Sequence, residues 1–153
     1  MIIKNLIDED FSNYKKPNMF IGFPKCTFKC GKGICQNAGL MDSPGVEITY
    51  KEITDRYLSN PLTSAIVFGG LEPFDSPKDL LGLIDEIRSK TLDDIVVYTG
   101  YHEEELTSII RKMKIYKNII IKFGPYIEDD FEIDDPVLGV KLASSNQYAK
   151  IIS

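Results

Sequence analysis

No apolar run in this sequence approaches the roughly 18 residues that a membrane-crossing helix requires, which excludes a helical membrane span. The opening, Met1-Ile2-Ile3-Lys4-Asn5, has neither the basic start nor the long apolar segment of a signal peptide, so a cytoplasmic location is expected. No basic cluster is interleaved with aromatic residues, and the net charge is −5 with a pI of about 4.9. Those two facts argue against a nucleic-acid-binding surface. There are only 3 cysteines, an odd number without a secretion signal, which argues against a disulfide framework and for reduced thiols. His102 is the single histidine, so at most one imidazole is on offer to a metal. Internal repeats, linkers and low-complexity tracts are also missing. With 153 residues, 43% apolar and 27% charged, the chain reads as one domain over 1–153, long enough to bury a substantial core.

What is present is concentrated. Every cysteine lies in the ten residues from Cys26 to Cys35, on a loop that also carries glycine and lysine. The preceding Asn18-Met19-Phe20-Ile21-Gly22-Phe23 reads as a buried strand ending at Pro24. Thiolates are soft ligands, and nearby lysines favour the deprotonated form that a metal needs. Three readings follow. The thiols could simply pack, although the residues between them are polar or glycine. They could form a zinc site with His102 as fourth ligand. Or Cys26, Cys30 and Cys35 could hold an iron–sulfur cluster with one iron left open.

Along the chain, strand, loop and helix alternate. Thr49 and Glu52 form a capping box that opens a helix through Leu58. A strand at 64–68 is stopped by Gly69-Gly70. Ser76 and Pro77 then start a helix whose apolar face is Leu80, Leu83, Ile84 and Ile87. Strands follow at 94–98 and 118–123, with a helix at 102–114 between them and short strands after 137. Ile2, Ile3, Leu6 and Ile7 read as an edge strand, followed by the polar Asp8-Glu9-Asp10. The central strands are continuous apolar runs, the mark of burial on both faces. The expected class is α/β, a mainly parallel sheet with flanking helices. The chain is too short for eight βα units, so a partial, incomplete TIM-like barrel or an open sheet is expected. In both, ligands bind at the carboxyl ends of strands. The cysteine loop, Gly69-Gly70-Leu71-Glu72-Pro73 and Thr99-Gly100-Tyr101 all follow such ends. Glycines there allow close backbone approach, and Glu72 offers an acceptor for an ammonium group. The Ser144-Ser145-Asn146-Gln147 turn is either an ordinary polar turn or a further binding loop.

These pieces, in this order, resemble the radical S-adenosylmethionine superfamily, and most closely the activating enzymes of anaerobic ribonucleotide reductases. The resemblance rests on Cys26, Cys30, Cys35 and Asn37, on Gly70, Glu72 and Pro73, on Tyr98-Thr99-Gly100-Tyr101, on Phe123-Gly124-Pro125-Tyr126, and on Ser144-Ser145-Asn146-Gln147. It covers residues 18–152. The sequence departs from the family pattern in three places. Four residues rather than two separate Cys30 from Cys35, Ile34 stands where an aromatic residue is usual, and Leu71 replaces a glycine.

The resemblance implies a [4Fe–4S] cluster on Cys26, Cys30 and Cys35, with S-adenosylmethionine as the second cofactor. It further implies that Gly70 and Glu72 meet the methionine amino group, with Gly69 also binding the cofactor, and that Thr99, Ser144 and Asn146 line the ribose side. Ile34 and Gln36, on either side of Cys35, would lie beside the same cofactor. The implied activity is reductive cofactor cleavage to a 5′-deoxyadenosyl radical that installs a glycyl radical on a large anaerobic reductase. Flavodoxin or ferredoxin would supply the electron. Two alternatives stand beside it: a radical enzyme acting on a small molecule or peptide, and a non-catalytic zinc or iron–sulfur module.

Overall fold

The structure, a computed structural model, describes residues 1–27, 31, 33–35 and 37–153. Four strands in it run parallel: β3 (Asn18–Phe23), β5 (Ala65–Gly70), β6 (Asp94–Tyr98) and β7 (Ile119–Phe123). They lie side by side in sequence order, so each step across the sheet goes the same way. Parallel strands need crossovers, and right-handed crossovers that all step one way put every helix on one face. That is observed. α2 (Tyr50–Leu58), α3 (Pro77–Arg88) and α4 (Thr107–Met113) contribute Ile53, Leu83, Ile84, Ile110 and Met113 to one apolar cluster. The same cluster takes alternate residues of the sheet, including Met19, Ile21, Phe68, Val97 and Ile121.

Antiparallel strands close both edges, β2 (Asn5–Asp10) against β3 and β10 (Tyr148–Ile151) against β7. Among the described residues this makes a mixed six-stranded sheet in an α/β chain, with no closed barrel. Asp8-Glu9-Asp10 therefore belongs to a strand, which an edge position permits because one side of β2 faces solvent. Two short ribbons flank the sheet: β1 (Ile2–Ile3) with β4 (Val46–Glu47), and β8 (Ile133–Asp135) with β9 (Val140–Leu142). A short helix, α1 (Gly39–Asp42), follows the cysteine loop.

The face opposite the helices is covered differently. Val67, Val96 and Ile120 pack there against Tyr14 from the loop before β3 and against Leu138 and Leu142 from the β8–β9 ribbon. Toward the carboxyl ends of the strands this cover stops, and a cavity opens instead.

Local signals explain most boundaries. The Thr49–Glu52 capping box is formed in both directions. Ser76 stands at the start of α3, but its hydroxyl makes no capping bond and is buried without a partner. The expected helix over 102–114 divides into a 3₁₀ turn at Glu103–Leu106 and then α4.

Candidate functional site

The cavity holds about 410 Å³, within the size range of small-molecule sites, and lies where the four parallel strands end. One wall is the cysteine loop, contributing Cys26, Thr27, Cys35 and Asn37. A second is Gly69-Gly70-Leu71-Glu72, and a third is Tyr98-Thr99-Gly100-Tyr101. Lys122, Gly124 and Tyr126 at the end of β7 close the far side, with Ala143 and Gln147 beyond. The loops singled out from sequence thus meet around one space.

Backbone pairing puts them there. β3 and β5 stay in register through Phe23 and Gly70, and the pairing continues past the strands. Leu71 N–H donates to the Phe23 carbonyl at 3.3 Å, and Glu72 N–H donates to the Lys25 carbonyl at 2.7 Å. Gly70 has φ +83°, and a Cβ there would sit 2.6 Å from the Gly22 Cα, so only glycine fits this crossing. On the cysteine loop, Gly31 at φ +91° makes a turn whose carbonyl accepts from Ile34 N at 3.2 Å and Cys35 N at 3.1 Å. That turn delivers Cys35 to the cavity and leaves Ile34 exposed and off its wall.

Glu72 is the most unusual group present. It is buried, and burial pushes its carboxyl up to about 7 despite three hydrogen bonds that oppose the shift. Its Oε1 accepts from the Thr99 hydroxyl at 2.9 Å and from Phe74 N at 3.1 Å, and its Oε2 accepts from Gly100 N at 2.9 Å. The Thr99 hydroxyl is thereby committed to Glu72, and it also accepts from Tyr101 N at 3.0 Å. Thr99 lines the cavity as the support of Glu72 rather than as an open hydroxyl.

Ser144 and Asn146 are placed differently from the sequence expectation. Neither lines the cavity. Ser144 Oγ donates to Asn146 Oδ1 at 2.7 Å, and Asn146 Nδ2 donates to the Pro125 carbonyl at 2.9 Å, so both serve the turn itself. Gln147 and Ala143 occupy the wall instead. Gln147 accepts from Ala143 N at 3.1 Å and donates to the Gly124 carbonyl at 3.2 Å, which seals this turn to the end of β7. His102 is exposed and off the cavity wall, so it does not join Cys26 and Cys35 there. Among the described residues no three His, Cys, Asp or Glu side chains are grouped to hold a metal. Cys30 and Gln36 lie outside the described residues.

Lys122 was not singled out from the sequence. Within an apolar strand a lone lysine reads as a residue at a strand end. Here it is buried on the cavity wall, 5.5 Å from the Tyr98 ring centroid, with its ammonium donating to the Gly124 carbonyl at 3.3 Å. The signal was available: a charged residue one position before the end of a buried strand is rarely accidental.

A model of the family described as the 4Fe-4S single cluster domain matches residues 18–148. The chain belongs to that family. The match runs from the start of β3 into β10 and takes in the cysteine loop and the cavity loops that follow β5, β6 and β7. Membership of the 4Fe-4S single cluster domain family supports an iron–sulfur cofactor. Neither the curated proteins nor the solved structures contain a match to this chain.

The residues present fit such a group. Cys35 is a free thiol, and Cys26 and Cys35 are both partly exposed on one cavity wall. Soft sulfur donors facing a space lined by glycine backbone suit an iron–sulfur cluster of a 4Fe-4S single cluster domain better than a hard cation.

Proposed function

We propose that this protein is a radical S-adenosylmethionine enzyme, with Cys26, Cys30 and Cys35 holding a [4Fe–4S] cluster. The observation that carries the reading is an acid and a base on different sides of one cavity. Glu72 and Lys122 line the same space as Cys26 and Cys35. An amino acid end carries both an ammonium and a carboxylate, and this pair is matched to it: Glu72 for the ammonium, Lys122 for the carboxylate. When bound, the cluster would supply the electron that cleaves the sulfonium to methionine and a 5′-deoxyadenosyl radical.

The chain's own residues orient and seal. Thr99, Gly100 and Phe74 fix the Glu72 carboxylate through three donors, so it does not need to reorganise when a cation arrives. Gly69 and Gly70 let the cofactor approach backbone. Tyr98 and Phe20 add aromatic surface to the cavity lining. We read the singly wound sheet, which among the described residues does not close on itself, as part of a barrel, and this leaves room for a polypeptide loop to reach the cavity.

The end use we propose is installation of a glycyl radical on an anaerobic ribonucleotide reductase, in the cytoplasm, with flavodoxin or ferredoxin as electron donor. Among the described residues no helix is long and apolar enough to cross a membrane. The test is anaerobic reconstitution with iron and sulfide, followed by reduction with the cofactor present and then with an anaerobic ribonucleotide reductase added. 5′-Deoxyadenosine together with a glycyl radical signal supports the full reading. 5′-Deoxyadenosine without that signal favours a small-molecule or peptide substrate. A colourless protein with one zinc favours a non-catalytic module and overturns the reading.

A further inference from the structure

We infer that Asp75 is a positioning residue for the cysteine loop, its carboxylate latching the peptide bond beside Cys26 to the other walls of the cavity. The inference rests on the iron–sulfur reading above.

Asp75 Oδ2 accepts from the backbone N–H of Thr27 at 2.8 Å, and Oδ1 accepts from the Tyr101 hydroxyl at 2.6 Å. The Thr27 hydroxyl lies 3.5 Å from that of Tyr101. One carboxylate therefore joins three loops far apart in sequence, at 26–27, 73–75 and 99–101. The side chain is not needed for its own turn, because the Pro73–Asp75 turn closes through Asp75 N to the Glu72 carbonyl at 3.1 Å. Both carboxylate oxygens are committed outward.

The position of the latch gives it its purpose. Backbone pairing from β3 and β5 carries on to the Lys25 carbonyl and stops there. Asp75 takes over two residues later, at Thr27. Cys26 lies between these two anchors, so the chain path through the first thiol is fixed on both sides. Thr27 is exposed, and without Asp75 its amide would face water with nothing to order it. Bonds to a carboxylate are about twice as strong as neutral ones, which suits a latch on an exposed loop. Tyr101 stays a donor because burial and the Asp75 carboxylate both raise its pKa. Partners that orient metal ligands are typically worth roughly 10–100-fold in metal affinity.

The experiment compares wild type with Asp75→Ala, Asp75→Asn and Tyr101→Phe. Anaerobically reconstituted protein is challenged with an iron chelator, Tm is recorded, and hydrogen exchange of the Thr27 amide is measured before reconstitution. At unchanged Tm, Asp75→Ala is expected to release iron roughly tenfold faster than wild type. Asp75→Asn falls between, since its amide oxygen keeps one acceptor. The Thr27 amide exchanges faster in Asp75→Ala. Iron retention equal to wild type, iron loss that only follows a fall in Tm, or unchanged exchange at Thr27 overturns the inference. A wild type that gathers no iron overturns the iron–sulfur reading instead, and the Thr27 amide still reports separately on the latch.

Discussion

The Thr99 hydroxyl donates to the Glu72 carboxylate at 2.9 Å across 27 residues of sequence, and Glu72 is buried in the cavity wall. This one bond ties the loop after β5 to the loop after β6. It also holds a carboxyl group whose ionisation is opposed by burial, so its protonation becomes a property of the fold.

A first consequence concerns stability against pH. The folded-state pKa of Glu72, about 7, lies above its usual 4.5. The folded protein therefore binds a proton that the unfolded chain releases between those values. The stabilisation from Glu72 is complete below about 4.5 and is lost as the pH rises through about 7. Integrated over that interval it amounts to about 3 kcal/mol. Chemical denaturation of wild type and Glu72→Gln across this range checks it: the difference between the two curves should slope in this window and flatten outside it.

Cofactor affinity should titrate with the same group. An ammonium needs the ionised carboxylate, so binding of S-adenosylmethionine is expected to weaken roughly tenfold per pH unit below about 7. Calorimetry in buffers of different ionisation enthalpy measures it, and Glu72→Gln should remove the dependence.

Gly70→Ala tests the crossing at the carboxyl end of the sheet. At φ +83°, with a Cβ only 2.6 Å from the Gly22 Cα, the substitution is expected to cost at least about 2 kcal/mol. Because β3 leads straight into the cysteine loop, iron loading should fall with it. Thermal unfolding and iron content, measured together, check both.

Arg88 tests the scaffold without touching the site. Its guanidinium donates to the carbonyls of Lys117 at 2.7 Å, Thr91 at 3.0 Å, Asp93 at 2.7 Å and Asn118 at 3.1 Å. It thereby fastens the end of α3 to the starts of β6 and β7. Arg88→Ala should cost roughly 2–3 kcal/mol by leaving these acceptors unpaired. Per folded molecule, iron loading should be unchanged, as denaturant unfolding and metal analysis would read.

The sequence made the central strands legible because burial on both faces writes itself as uninterrupted apolar runs, as in Ile119-Ile120-Ile121. It also made the capping box at Thr49 and the three glycine-marked loops legible, because those signals are local. Edge strands were harder. Asp8 to Asp10 look like loop until their antiparallel pairing to β3 is known. The site was legible as a set of loops but not as a division of labour within them. Nothing local distinguishes Thr99, turned onto Glu72, from a hydroxyl open to a ligand. Ser144 and Asn146 look like binding residues until their bonds to each other and to Pro125 are seen. Lys122 and Asp75 acquire meaning only through partners on other loops.

The most direct measurement is chromatographic detection of 5′-deoxyadenosine after reduction of the anaerobically reconstituted protein with S-adenosylmethionine. The account predicts its formation by wild type and its loss when serine replaces Cys26, Cys30 or Cys35. Iron-loaded wild type that forms none, or a serine variant that forms as much as wild type, would contradict it.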